Sequence, residues 1–280
     1  MYIKVALTTF LATVHATSLL IPLYVDPSQG VADGSMTAWN TIEAAVANNP
    51  STQFQIIINP DNGPGNSKPG YDSEYIASVA KLNAFSNVHT FGYVYTSYGA
   101  RATSAVQTDI ARWANWNTYT KANIAIKGIF FDEVPNYSSS SKKANTDVAY
   151  MSTLQAYAKS QFSNISTFQT FYNVGDLCAH AEYFGSGMAD YVCVFEDDAS
   201  EFSTAVLSQR VPAGMAARSC VLLHDYMTSG LPSANVSSFL QDFVSMGVGT
   251  ANILDYGYDQ ANAADAPADV GTVAQILSLA

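Results

Sequence analysis

Basic residues are scarce in this sequence: 12 lysines and arginines stand against 23 aspartates and glutamates over 280 residues, a formal charge of −11. That balance argues against nucleic acid as a partner, because binding it needs a basic patch to displace counterions. It tolerates or attracts cationic ligands instead. Histidine is scarcer still, with four residues, and neither a His-Glu-x-x-His run nor a zinc or redox spacing of cysteines occurs. No metal and no organic cofactor is therefore expected. The three cysteines, Cys178, Cys193 and Cys220, allow at most one intramolecular disulfide. Cys193 lies in the apolar run 190–195 and reads as a buried thiol, which leaves Cys178 and Cys220 as the expected pair.

Long apolar stretches are also missing. The one near the start, residues 5–14 after Lys4, is too short to span a bilayer and reads as a signal peptide, with small residues at Val14 and Ala16. Cleavage after Ala16 is expected, giving a mature chain over 17–280 that is secreted, without a membrane anchor and monomeric. Sequons at Asn136, Asn164 and Asn235 suit a glycoprotein of the cell exterior or wall.

What the chain does have is a regular alternation of short β-rich runs with longer segments of helical spacing. Strands are expected over 18–25, 54–59, 88–95, 128–132, 167–173, 191–196, 220–225 and 249–255. Helical segments over 36–48, 73–85, 105–119, 144–161 and 234–246 lie between them. Gln55-Ile56-Ile57-Ile58 and Gly128-Ile129-Phe130-Phe131 are continuous apolar runs, as strands buried on both faces must be. No linker or composition break divides the chain. These features predict one α/β domain, a (β/α)8 barrel. The doubly wound sheet is the alternative, but Gly63-Pro64-Gly65 carries Lys68 where a dinucleotide fingerprint needs its third glycine.

In such a barrel the site forms where strands end. The polar residues at those points are Asp26, Asn59 and Asp61, Tyr93 and Tyr95, Asp132 and Glu133, Asn173, Glu196 and Asp197, His224 and Asp225, and Asp255 and Tyr256. Phe130-Phe131-Asp132-Glu133 is the sharpest, an apolar strand ending in two acids, answered by Val194-Phe195-Glu196 two strands later. Carboxylates facing each other across a barrel mouth are what glycoside hydrolysis requires, one to protonate the leaving oxygen and one to attack the sugar or activate water. The plainer reading of an acid at a strand end is a cap for the following helix. Three acids at two strand ends favour catalysis. Serine chemistry lacks its parts, since Gly185-Ser186-Gly187 is not a nucleophile elbow and His224-Asp225 has no serine partner. Tyr93, Tyr95, Tyr98, Tyr256 and Tyr258 offer aromatic faces for sugar rings, or else buried packing.

Four strand ends carry a combination that resembles the spherulin 4 family. They are Leu23-Tyr24-Val25-Asp26-Pro27, Ile58-Asn59-Pro60-Asp61-Asn62-Gly63-Pro64-Gly65, Gly92-Tyr93-Val94-Tyr95-Thr96 and Gly128-Ile129-Phe130-Phe131-Asp132-Glu133. The likeness continues through Phe195-Glu196 and His224-Asp225 and covers nearly all of the mature chain. The family resembles glycoside hydrolase family 135. The resemblance implies a (β/α)8 fold and endo-acting hydrolysis of an α-1,4-linked polymer containing N-acetylgalactosamine, the fungal galactosaminogalactan. It places the essential acids on Asp132, Glu133 and Glu196; the division of roles expected among them is Asp132 as nucleophile, Glu196 as acid/base and Glu133 as a tuning or binding group, which makes the reaction retaining. The remaining strand-end residues, Asp26, Asn59, Asp61, Tyr93, Tyr95, Asn173, His224, Asp225, Asp255 and Tyr256, are then the expected substrate contacts. A noncatalytic carbohydrate-binding coat protein of the cell or spore surface is the competing class.

Overall fold

A computed structural model describes residues 16–28, 38–137, 144–226, 229–232, 234–255 and 270–279. Residues 1–15, which hold most of the expected signal peptide, lie outside the described residues, as do Ser138 to Ser141, Tyr256 and Tyr258. Eight parallel strands close into one barrel in sequence order. They are β1 (Ser18–Leu23), β2 (Phe54–Ile58), β3 (Val88–Tyr95), β4 (Gly128–Asp132), β5 (Gln169–Asn173), β6 (Tyr191–Asp198), β7 (Ser219–His224) and β8 (Thr250–Ile253). Helices α1 (Ala38–Asn48), α2 (Ser73–Leu82), α3 (Thr103–Trp116), α4 (Ala144–Gln161), α5 (Thr204–Arg210), α6 (Ala234–Ser245) and α7 (Val270–Leu279) are interspersed with them. The expected (β/α)8 barrel is the observed fold. Among the described residues no helix is long and apolar enough to cross a membrane.

Side-chain alternation explains how these strands build two separate cores. Leu20, Ile57, Phe91, Tyr93, Phe130, Phe171, Cys193, Cys220 and Leu222 form a cluster inside the barrel. Their strand neighbours, such as Leu19, Ile56, Ile129, Phe131, Val221 and Leu223, pack with the helices in an outer layer. A Cβ on Gly128 would sit 2.3 Å from the Phe91 ring, so the glycine makes room for the aromatic filling of the interior. At full burial each large apolar side chain in these layers stabilises the fold by about 1.5–3 kcal/mol relative to exposure.

The observed bounds differ from the expected ones at every strand except β3 and β4. β6 runs on to Asp198, because Asp197 and Asp198 continue the ladder opposite Leu223 and His224. β7 ends at His224, since Asp225 turns away with φ +56°. Helices α5 and α7 were not among the expected segments; α5 is only 7 residues long and is started by Ser203, whose side chain accepts from the Val206 amide.

The expected Cys178–Cys220 disulfide is overturned. All three cysteines are free thiols. Cys220 is sealed inside the barrel opposite Cys193, whereas Cys178 packs against the outer layer and its Sγ donates to the His180 carbonyl at 3.3 Å. The barrel wall stands between them. Burial pushes the Cys178 thiol up to about 11 and the Cys193 thiol well above its ordinary value, which keeps both in the unreactive protonated form.

Candidate active site

The strand ends open into a cleft of about 840 Å³, bordered by Tyr24, Asn59, Asp61, Tyr93, Asp132, Glu133, Asn173, Glu196 and His224 among others. Asp132 arrives there by plain alternation, two residues beyond Phe130 on the inward face of β4. Glu133 should then point outward. A left-handed φ of +50° turns it back to the cleft instead, and the Thr96 hydroxyl and the Tyr98 amide donate to its carbonyl at 2.6 and 2.7 Å. Burial and the neighbouring Asp132 raise the Glu133 carboxyl above the usual carboxylate range, so it holds its proton to higher pH than a free glutamate.

Glu196 reaches the cleft by a different device. Regular alternation from the inward Cys193 would place Phe195 inside and Glu196 outside. The β6–β7 register slips between Cys193 and Phe195, and Val194 and Phe195 both pack in the outer layer. One extra residue in β6, a bulge, thus restores Glu196 to the inward face, opposite the inward Leu222. Gly175, just past β5, clasps the bulge from the other side. Its amide donates to the Cys193 carbonyl at 3.2 Å, and its carbonyl accepts from the Glu196 amide at 2.9 Å.

Asn173, the last residue of β5, joins the two acids. Its Nδ2 donates to Asp132 Oδ1 at 2.7 Å and to Glu196 Oε2 at 2.6 Å. Two bonds to one nitrogen hold those oxygens no more than about 5.3 Å apart. The amide cannot be turned round, because its oxygen would then face two acceptors. Tyr93 donates from its hydroxyl to Asp132 Oδ2 at 2.6 Å, so both Asp132 oxygens carry a hydrogen bond. Burial and the nearby Asp132 raise the Tyr93 hydroxyl far above its ordinary value and keep it a donor. Tyr24 behaves likewise for the same causes and packs edge-on against Tyr93 at 5.4 Å.

The other expected contacts divide. Asn59 borders the cleft and accepts from the Gly63 amide at 2.8 Å, which pins the loop carrying Asp61. His224 borders it too, with Nδ1 2.6 Å from Asp225 Oδ2; a carboxylate can only accept, so Nδ1 carries the proton. Asp225 itself is not among the residues that border the cleft. Asp26 folds onto Ser28, accepting from its amide and hydroxyl at 2.8 and 2.6 Å. The Tyr95 ring is covered by the Arg101 guanidinium at 4.1 Å, and Asp255 is buried at the end of β8, both outside the lining. Asp197, expected beside Glu196 at the end of its strand, borders the cleft, and Tyr24, Asp176 and Arg210 border it without having been expected. Arg210 reaches it from α5, lies 4.4 Å over the Phe195 ring and pairs with Asp176 at 3.3 Å. Among the described residues no group of three or more histidines, cysteines and acids is arranged to hold a metal.

A sequence profile described as spherulation-specific family 4 matches residues 18–264, nearly the whole barrel. The chain belongs to this family. Spherulin-4 of Physarum polycephalum is 36% identical over 151 residues, which span 53% of this chain and only 37% of that protein. Family likeness in three dimensions is stronger. The crystal structure of Aspergillus clavatus Sph3 in complex with GalNAc superposes with a TM-score of 0.78 at 26% identity, covering 94% of this chain and 98% of that one. A glycoside hydrolase, ZgEngAGH5_4 in complex with a cellotriose, shares the fold alone, with a TM-score of 0.54 at 11% identity over 93% and 96% of the two chains.

Proposed function

We propose that this chain is a secreted, endo-acting glycoside hydrolase that cleaves an α-1,4-linked polymer containing N-acetylgalactosamine with retention of configuration. The observation that carries the proposal is the Asn173 bridge, which fixes Asp132 and Glu196 at a separation of no more than about 5.3 Å between their bonded oxygens. Retaining enzymes hold their two carboxyl groups about 5–5.5 Å apart, and inverting ones leave about 6.5–9.5 Å for a water. The likeness to a relative that binds GalNAc supports the sugar class, and the leader-like first 16 residues support export.

In this reading Asp132 attacks the anomeric carbon while Glu196 gives its proton to the departing glycosidic oxygen. A glycosyl ester on Asp132 results. Glu196, now anionic, takes a proton from water, the water oxygen attacks the same carbon, and Asp132 leaves as carboxylate. Tyr93 and Asn173 each donate to one Asp132 oxygen and keep the carboxyl aimed. His224, oriented by Asp225, and Asn59 contact the sugar hydroxyls. Incubating the protein with galactosaminogalactan should release oligosaccharides detectable by mass spectrometry, and Asp132→Asn or Glu196→Gln should each remove more than about 99.9% of that release. Retention of the polymer without cleavage by the unaltered chain would instead identify a coat or lectin-like protein.

Glu133 tunes the pair. Its negative charge, once ionised, opposes loss of the proton on the acid/base Glu196, which borders the same cleft. Glu133→Gln removes that charge, so the alkaline limb of the pH profile of kcat/KM should move to lower pH. An unmoved limb would rule out the tuning role.

A further inference from the structure

Tyr98 stands out at the rim of the cleft. It is 60% exposed, borders the same cavity as Asp132 and Glu133, and carries the largest exposed apolar surface there. A single exposed tyrosine is unremarkable on most surfaces, but this one is held in place by unusual backbone. Ser97, Tyr98 and Gly99 have φ values of +51°, +52° and +78° in succession, and only the last is a glycine. Residues other than glycine, asparagine and aspartate seldom enter that region, and a run of them persists only where surrounding structure enforces it.

The enforcement is visible. The Tyr98 amide donates to the Glu133 carbonyl at 2.7 Å, the Thr96 amide to the Asp132 carbonyl at 2.9 Å, and the Ala100 and Arg101 amides return to Ser97 and Thr96 at 2.8 and 3.2 Å. The loop presenting the ring is thus bonded directly to the two residues that carry the acids. Burial, with Glu133, Asp132 and Glu196 nearby, raises the Tyr98 hydroxyl above its ordinary value, which places it in the field of all three carboxylates. A rigid aromatic face beside the bond-breaking groups offers what the C–H face of a pyranose ring needs: apolar area with little entropy to lose.

We infer that Tyr98 is a stacking platform for the uncharged hexosamine ring next to the cleaved linkage, an outer subsite that grips the polymer beyond the reacting unit. The inference rests on the carbohydrate reading above. The test is calorimetric titration of the Glu196→Gln chain with an α-1,4-linked hexamer of N-acetylgalactosamine, alone and combined with Tyr98→Ala, Tyr98→Phe or Tyr98→Trp. Alanine should weaken binding about ten-fold, and phenylalanine and tryptophan should keep it within about two-fold. Equal affinity with alanine, or an equal loss with phenylalanine, overturns the platform while leaving the hydrolase reading intact. Failure of Glu196→Gln itself to bind the hexamer overturns the carbohydrate reading and the platform together.

Discussion

Replacing Asn173 with alanine is expected to lower kcat on the polymer about a hundred-fold with a much smaller change in KM. Both acids lose a bond to the same amide nitrogen, and hydrogen bonds to charged groups contribute about 1.5–3 kcal/mol each. The loss falls on the geometry of the pair, which matters in the transition state, more than on sugar binding. Asn173→Asp separates this role from simple packing. As a carboxylate it can only accept, so at neutral pH it should be at least as damaging as alanine. Once protonated it carries a donor again, and its activity should recover as pH falls while the alanine variant's does not. Parallel pH profiles for the two variants would contradict the bridge.

Gly175→Ala should lower kcat about ten- to a hundred-fold, although the residue has no side chain to offer the substrate. A Cβ there would lie 3.2 Å from Glu196 Oε2, the same oxygen that accepts from Asn173, and 3.7 Å from Glu196 Cβ. The carboxyl must shift or the clasp on the β6 bulge must loosen. Because φ is +67° at Gly175, alanine also strains the backbone by about 1–2 kcal/mol. Gly247→Ala provides the control, since Gly247 has φ +71° with nothing within 4 Å of its would-be Cβ. Both variants should lose similar thermal stability, and only Gly175→Ala should lose turnover. Equal activity in the two would mean that Gly175 does not position Glu196.

The barrel was legible in the sequence because its strands are buried on both faces and read as unbroken apolar runs, as at 55–58 and 128–131. Asp132 was legible for the same reason: it ends an inward-facing row. Glu196 was readable as an acid at a strand end, but the device that aims it was not. Val194 and Phe195 are both apolar, and nothing in their order says that they share the outer face. Alternation likewise predicts that Glu133 diverges from Asp132, whereas a left-handed φ, rare for glutamate, brings both to one cleft. Arg210 escaped notice because it belongs to a short helix with weak periodicity, and its place at the rim depends on stacking over Phe195. The cysteine pairing failed for a simpler cause. Sequence counts thiols, but only the closed barrel shows that Cys220 faces inward while Cys178 lies outside the wall.

The bridged pair of acids is tested most directly by the anomer that forms first. Proton NMR during the first minutes of hydrolysis of an α-1,4-linked N-acetylgalactosamine oligomer distinguishes the two outcomes before mutarotation mixes them. With Asp132 as nucleophile and Glu196 as acid/base, the α-anomer appears first and the β-anomer grows in later. A β-anomer as the initial product would contradict direct attack by Asp132 and the account built on the Asn173 bridge.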